Sequence, residues 1–266
     1  MTTPCRFGFA LKGFSSIALT ALLTVTCFGK TDAAPKGFTT PIPEELFTSD
    51  AVKTSVGTFS FFDGLPDQAT VKASFDYLKF IRGYETFLNM MPAASIEMLR
   101  QGHAEMGVDD HTKVMLMSPL SSKPLFLTGN TDTVYGSAFF NLKETGPLVI
   151  DIPSGLGPGT INDAYFRFVA DTGAPGPDKG KGGQYLILGP DDKQPDNVEE
   201  YFVFRSPTYS NWLILRAFLD ERGKPDKAVF NYKNGLRLYP FSERNNPPRM
   251  TFVEGGEMVF NTVHAN

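Results

Sequence analysis

Cysteine is almost missing from this chain: among 266 residues only Cys5 and Cys27 occur, both near the N-terminus. Histidine is scarce, with His103, His111 and His264 alone, and Trp212 is the single tryptophan. Positive charge is not in excess, since 25 basic residues face 29 acidic ones. The chain therefore lacks the concentrated field that phosphate backbones require, and nucleic acid is excluded as an expected partner. No Gly-x-Ser-x-Gly elbow and no Asn-x-Ser/Thr sequon is present. What is abundant is Phe (24), Gly (25) and Pro (20), with 41% hydrophobic and 20% charged residues. That balance excludes a disordered chain, a coiled coil or a collagen as the class of the whole chain.

Residues 1–34 have the layout of a secretory signal peptide. Arg6 and Lys12 form a basic start, an uncharged apolar stretch runs from Phe14 to Phe28, and Thr31-Asp32-Ala33-Ala34 offers small residues for cleavage after Ala33 or Ala34. The stretch is shorter than the roughly 20 residues that a spanning helix needs, which disfavours a retained membrane anchor. A lipoprotein alternative exists because Cys27 ends the run, although Thr24-Val25-Thr26 lacks the usual Leu and small residues before it. Cleavage removes both cysteines, so disulfides, a thiol nucleophile and Cys-based metal sites are excluded from the mature chain. Removing Arg6, Lys12, Lys30 and Asp32 leaves 22 basic and 28 acidic residues, a net charge of −6.

Residues 35–66, rich in Pro, Gly, Ser and Thr, read as a poorly structured lead-in. Residues 67–112 read as a helical segment. Phe75, Leu78, Ile81, Tyr84 and Leu88 recur at helical spacing up to Met91, and Pro92 suits the first turn of a second helix ending near Gly107. From 113 to 266 the texture is β. Short β-branched or aromatic runs at 113–117, 124–128, 134–142, 147–152, 164–170, 184–188 and 199–205 are separated by Gly, Pro, Asn and Asp. This pattern predicts an antiparallel sandwich or barrel. Residues 171–183 read as a long surface loop, 211–220 fit strand or helix equally, and 226–238 reads as a short helix before a turn at Pro240.

Several candidate sites carry a competing structural reading. His103 and His111 lie eight apart beside Asp109-Asp110, a poor match to zinc spacing, and read as solvent-facing histidines near a helix end. Gly155-Leu156-Gly157-Pro158-Gly159 places Pro where a phosphate-binding amide would be needed, and reads as a turn. In Asn130-Thr131-Asp132-Thr133-Val134-Tyr135 the Asn and Asp side chains can close Asx turns. Alternatively Asp132, sharing strand parity with Val134, points inward and requires a cation. Arg167 and Arg216, each set inside an apolar run, are the candidate partners or anion clamps. Tyr135, Tyr165, Tyr185, Tyr201 and Trp212 read as core or cross-strand pairs, or as a stacking surface.

Asn130 to Tyr135, Gly146 to Pro153, Tyr165 to Phe168, Gly182 to Pro190 and Leu215-Arg216-Ala217 occur in the order of the family called domain of unknown function 1254 (DUF1254). The resemblance covers about residues 70–240, and the helix with Gly83-Tyr84 resembles that family's opening helix. It implies an exported bacterial protein built as a β-sandwich of jelly-roll type with helical additions, and it implies no established reaction. Members of the family usually continue into a second domain, the domain of unknown function 1214, before which this chain stops. The resemblance thus implies either a single-domain member or a truncated one.

Three functions remain open. The first is a periplasmic or secreted protein binding a small polar or anionic ligand, without cofactor or metal, in a cleft formed by Asn130, Asp132, Tyr135, Arg167 and Arg216. The second is a hydrolase or lyase in which Asp132 is base or nucleophile, Tyr135 a proton donor and an arginine the electrostatic stabiliser. The third is a structural or interaction protein of the envelope.

Overall fold

The computed structural model describes residues 43–47, 49–118 and 129–255. The expected signal peptide and the expected strand at 124–128 lie outside the described residues, as does His264. The chain divides into two compact units, residues 1–71 and 72–266.

The described part of the first unit holds regular structure where a loose lead-in was expected. Strands β1 (Ala51–Thr54), β2 (Gly57–Phe62) and β3 (Leu65–Pro66) form an antiparallel meander. Its second turn is Asp63-Gly64, both at positive φ (48° and 78°). An Asp-Gly pair in this conformation is a two-residue hairpin signal, masked in the sequence by the surrounding Gly, Pro and Ser. Asp67 then caps the next helix: its Oδ1 accepts from the Thr70 amide at 2.6 Å.

Helix α1 (Gln68–Glu105) is one continuous element of 38 residues with Pro92 inside it. The expected break is absent. Proline removes one backbone donor and crowds the preceding turn, but good helix formers on both sides carry the helix past it.

Strand β4 (Lys113–Met117) follows, then β5 (Thr133–Asn141), the four-residue helix α2 (Leu142–Thr145), β6 (Leu148–Ile152), β7 (Gly159–Asp163), β8 (Phe168–Thr172), β9 (Gly183–Leu188), β10 (Phe202–Arg205), β11 (Ser210–Phe218), helix α3 (Asp226–Gly235), β12 (Arg237–Pro240) and β13 (Thr251–Glu254). They build a six-stranded sheet, β13-β4-β5-β11-β7-β8, and a four-stranded sheet, β10-β9-β6-β12. Most pairings are antiparallel, as expected. Two are parallel, β9 with β10 and β4 with β13, so neither sheet has the all-antiparallel order of a jelly roll. The described residues are mainly β with three α-helices, and their sheets do not close into a barrel. Among the described residues no helix is long and apolar enough to cross a membrane.

The ambiguous segment 211–220 resolves as β11, the centre of the larger sheet. It pairs with β5 over nine residues, from Ser210↔Asn141 to Phe218↔Thr133, and with β7 on its other side. The run expected as one strand at 164–170 contains instead the β7–β8 turn. Residues of both sheets, including Val134, Ala138, Phe140, Ile150, Tyr185, Ile187, Leu213, Leu215 and Leu238, join one buried cluster with Tyr232 of α3.

Tyr232 fits because residue 136 has no side chain. A Cβ at Gly136 would lie 2.4 Å from Tyr232 Cε1, while the Tyr232 hydroxyl reaches the Val134 carbonyl at 3.4 Å. Gly136→Ala should therefore lower stability by about 1–3 kcal/mol, the usual cost of overpacking a core. Thermal unfolding tests this, and an unchanged Tm would show that the ring yields freely.

Candidate functional site

The turn into β5 is closed locally. Asn130 Oδ1 accepts from the Asp132 amide at 3.0 Å and the Thr133 hydroxyl at 2.9 Å, and the Asn130 amide donates to Tyr135 Oη at 3.1 Å. This is an Asx turn, and the strand begins only at Thr133. The parity argument that turned Asp132 inward therefore does not reach it. Asp132 is exposed and makes no ion pair among the described residues. Arg216, opposite Tyr135 in the β5–β11 ladder, is exposed and holds its guanidinium 5.4 Å from the Tyr135 ring centroid.

Arg167 has another partner. Its Nη2 and Nε donate to Asp163 Oδ2 at 2.6 and 2.7 Å. Asp163 Oδ1 accepts from the amides of Tyr165 and Arg167, both at 2.8 Å. Asp163 is fully buried, and four donors satisfy it within one tight turn. The same turn holds Phe166 at φ 62° and sets its ring 5.7 Å from Trp212. Along β11, Asn211 faces Asp163 and Arg216 faces Tyr135, a separation of roughly 17 Å at about 3.4 Å per residue. The structure thus brings Asn130, Tyr135 and Arg216 together and leaves Arg167 at the opposite end of the strand.

A polar cleft of about 360 Å3 opens elsewhere. Its walls come from the last turns of α1 (Glu97, Arg100), the turn after it (Val108 to His111), the end of β5 (Phe139 to Asn141), α2 (Glu144, Thr145) and Ser210. Arg100 grips Glu97 through two bonds of 2.7 Å. That fork holds the Glu97 carboxyl below its ordinary value, and the Arg100 guanidinium is raised in return, with help from Glu144. Burial pushes the Asp110 carboxyl up, but the Thr112 hydroxyl and amide and the Lys113 ammonium together hold it down. Lys113 also bonds Asp109. Glu144 Oε1 accepts from Asn141 Nδ2 at 2.7 Å, and Asn141 in turn caps α2. Four carboxylates line the cleft against one guanidinium. Among the described residues no group of His, Cys, Asp and Glu is placed to hold a metal ion.

Next to Phe139 lies a second polar arrangement, closed to solvent. His103 and Ser137 are each 1% exposed. Trp212 Nε1 donates to Ser137 Oγ at 2.8 Å, and Ser137 Oγ lies 2.7 Å from His103 Nε2. The Leu99 carbonyl can only accept, so the imidazole proton sits on Nδ1 and donates to it at 2.8 Å, which leaves Nε2 of the neutral ring to accept the Ser137 proton. The Phe139 ring packs edge-on to the imidazole at 5.0 Å and stacks on Trp212 at 6.0 Å. A Ser–His pair without access to substrate is a structural joint between α1 and the sheet. His103 is therefore not the solvent-facing residue expected of a helix end; His111, in the cleft wall, is partly open. The sequence held one signal of this, since His103 stands four residues after Leu99 and seven after Ile96, on the helix face that meets the sheet.

Burial pushes the His103 imidazole down to about 4 from 6.5. Below pH 6.5 the unfolded chain takes a proton that the folded chain refuses, so stability should fall as pH drops from 6.5 and the loss should be complete near pH 4. The full span corresponds to about 3 kcal/mol. Urea midpoints between pH 7 and 4 check this. His103→Gln should flatten the slope in that window, and an unchanged slope would assign it to other groups.

No curated protein matches this chain. Among solved structures, the VPA0106 protein from Vibrio parahaemolyticus is similar over 61% of this chain and 39% of its own, at 15% identity and a TM-score of 0.44. A protein from Burkholderia cenocepacia described as uncharacterized is similar over 63% of this chain and 44% of its own, at 17% identity and a TM-score of 0.33. The chain thus spans about two fifths of the length of the solved chains it matches. Residues 112–240 match the family described as "Protein of unknown function (DUF1254)", in agreement with the ordered motifs from Asn130 to Ala217. The stretch from β4 to β12 belongs to the DUF1254 family.

Proposed function

We propose that this chain is an exported envelope protein, built on a sandwich of its two sheets, that binds a small ligand rich in hydrogen-bond donors in the cleft between α1 and β5. The observation that carries the reading is the cleft's lining, with Glu97, Asp109, Asp110 and Glu144 against Arg100. Its volume of about 360 Å3 falls in the range of small-molecule sites. Val108 and Phe139 supply an apolar floor, and the carboxylates offer acceptors above it. This chemistry suits a polyol, a sugar or an organic amine and repels an anion. Export is supported by the basic start, apolar run and small-residue end of residues 1–34.

A small polar or anionic ligand at Asn130, Asp132, Tyr135, Arg167 and Arg216 has less support, because Arg167 is engaged by Asp163. The hydrolase or lyase reading would need a base held by a neighbour, and the exposed Asp132 has no ion-pair partner among the described residues.

The test is isothermal titration of the mature chain with a panel of sugars, polyols, small amines and small anions. A sugar, polyol or amine is expected to bind, and Glu144→Gln should weaken it at least tenfold, while Asp132→Asn leaves affinity unchanged. Retained affinity in Glu144→Gln, or a preference for anions, would sink the reading.

A further inference from the structure

Among the described residues α1 packs on the sheet through Ile96, Leu99 and His103, and Met90 Sδ accepts from the hydroxyl of Tyr165 in the β7–β8 turn at 3.5 Å. Before Ile96 the helix is exposed over nearly its whole circumference from Lys72 to Pro92. Tyr77, Phe80, Tyr84, Phe87, Leu88 and Met91 are 43–67% exposed, and Ile81 lies among them. At 100° per residue these seven side chains fall within a third of the circumference, whereas Asp76, Lys79, Arg82, Glu85, Thr86 and Asn89 all fall outside it. Tyr77, Phe80, Tyr84, Phe87 and Met91 alternate at steps of three and four, the 3.5-residue repeat of a helix-pairing seam, flanked by Ile81 and Leu88. Monomeric soluble proteins rarely expose an apolar patch of this extent.

We propose that this face is a homodimer interface in which α1 pairs with α1 of a second copy, antiparallel, about a two-fold axis at Tyr84. Two observations select this occupant. First, taking about 200 Å2 for each large side chain, the exposed fractions amount to roughly 700 Å2 per copy, close to the ~800 Å2 per partner of a standard stable interface. Second, the stripe is symmetric about its centre: apolar residues stand three, four and seven positions on either side of Tyr84. A two-fold axis there sets every apolar position against another, as a self-complementary interface requires.

The mature chain is free of cysteine if the signal is removed at Ala33 or Ala34, which makes single-cysteine probes clean. Sedimentation velocity of the mature chain from 1 to 100 μM should show a concentration-dependent dimer, and Phe80→Glu combined with Phe87→Glu should weaken it at least tenfold. Those side chains are exposed in the protomer, so the variant's circular dichroism and unfolding midpoint should match the parent. Tyr84→Cys should form a disulfide-linked dimer on mild oxidation, and Tyr77→Cys should not. A parent that stays monomeric at 100 μM would overturn the proposal, whether or not it co-sediments with phosphatidylglycerol vesicles, the latter result pointing to a lipid surface instead. A dimer indifferent to the double substitution, or equal cross-linking through Tyr77→Cys, would overturn it as well.

Discussion

The antiparallel ladder between β5 and β11 is the contact on which both faces of the larger sheet depend. Its two strands are nine residues long and pair without a bulge. One face, with Val134, Ala138, Leu213 and Leu215, enters the core shared with the smaller sheet. The other, with Tyr135, Phe139 and Trp212, forms the bed for the end of α1. Ser137 sits at the middle of that bed and takes a hydrogen bond from Trp212 while giving one to His103. Because both bonds are buried, breaking either leaves a polar group unpaired at a cost of about 1–3 kcal/mol. The helix is thus held in register by polarity as well as by packing, and the cleft wall formed by Glu97 and Arg100 inherits that register.

Buried carboxylates in this protein are satisfied close to home. Asp163 draws its donors from the turn it closes. Asp178, also buried, accepts from the Tyr185 hydroxyl at 2.7 Å and the Gly182 amide at 3.2 Å. That carboxylate anchors the Gly- and Pro-rich loop before β9, and burial together with the Asp178 charge raises the Tyr185 phenol. A remote arginine would have to be desolvated as well, whereas nearby amides and hydroxyls are already at hand. These two arginines are left exposed at the surface, Arg167 over Tyr165 and Arg216 over Tyr135.

Local signals made much of this legible in the sequence. Alternation and apolar runs marked β4, β5, β6 and β9 within a residue or two, the Asx turn at Asn130 followed from its side-chain chemistry, and the family followed from motif order. What escaped depends on partners far along the chain. Residues 211–218 become a strand because β5 and β7 flank them, and β13 exists only as the neighbour of β4. The cleft gathers Glu97, His111, Glu144 and Ser210 from four separate segments, so no spacing could have announced it. Apolar context made Arg167 and Arg216 alternative candidate partners of the Asp132 carboxylate; in the structure the Asp132 amide closes the turn at Asn130 and Arg167 pairs with Asp163.

Gly136 and Tyr232 illustrate a further kind of dependence. The phenol ring occupies the space that a side chain at 136 would take, so the strand and α3 share one volume between two positions. Neither residue can be judged as a separate choice: a larger residue at 136 is tolerable only beside a smaller one at 232, and their energetic effects are coupled rather than additive. For exchange of segments between related proteins, the consequence is that β5 and α3 must be transplanted together.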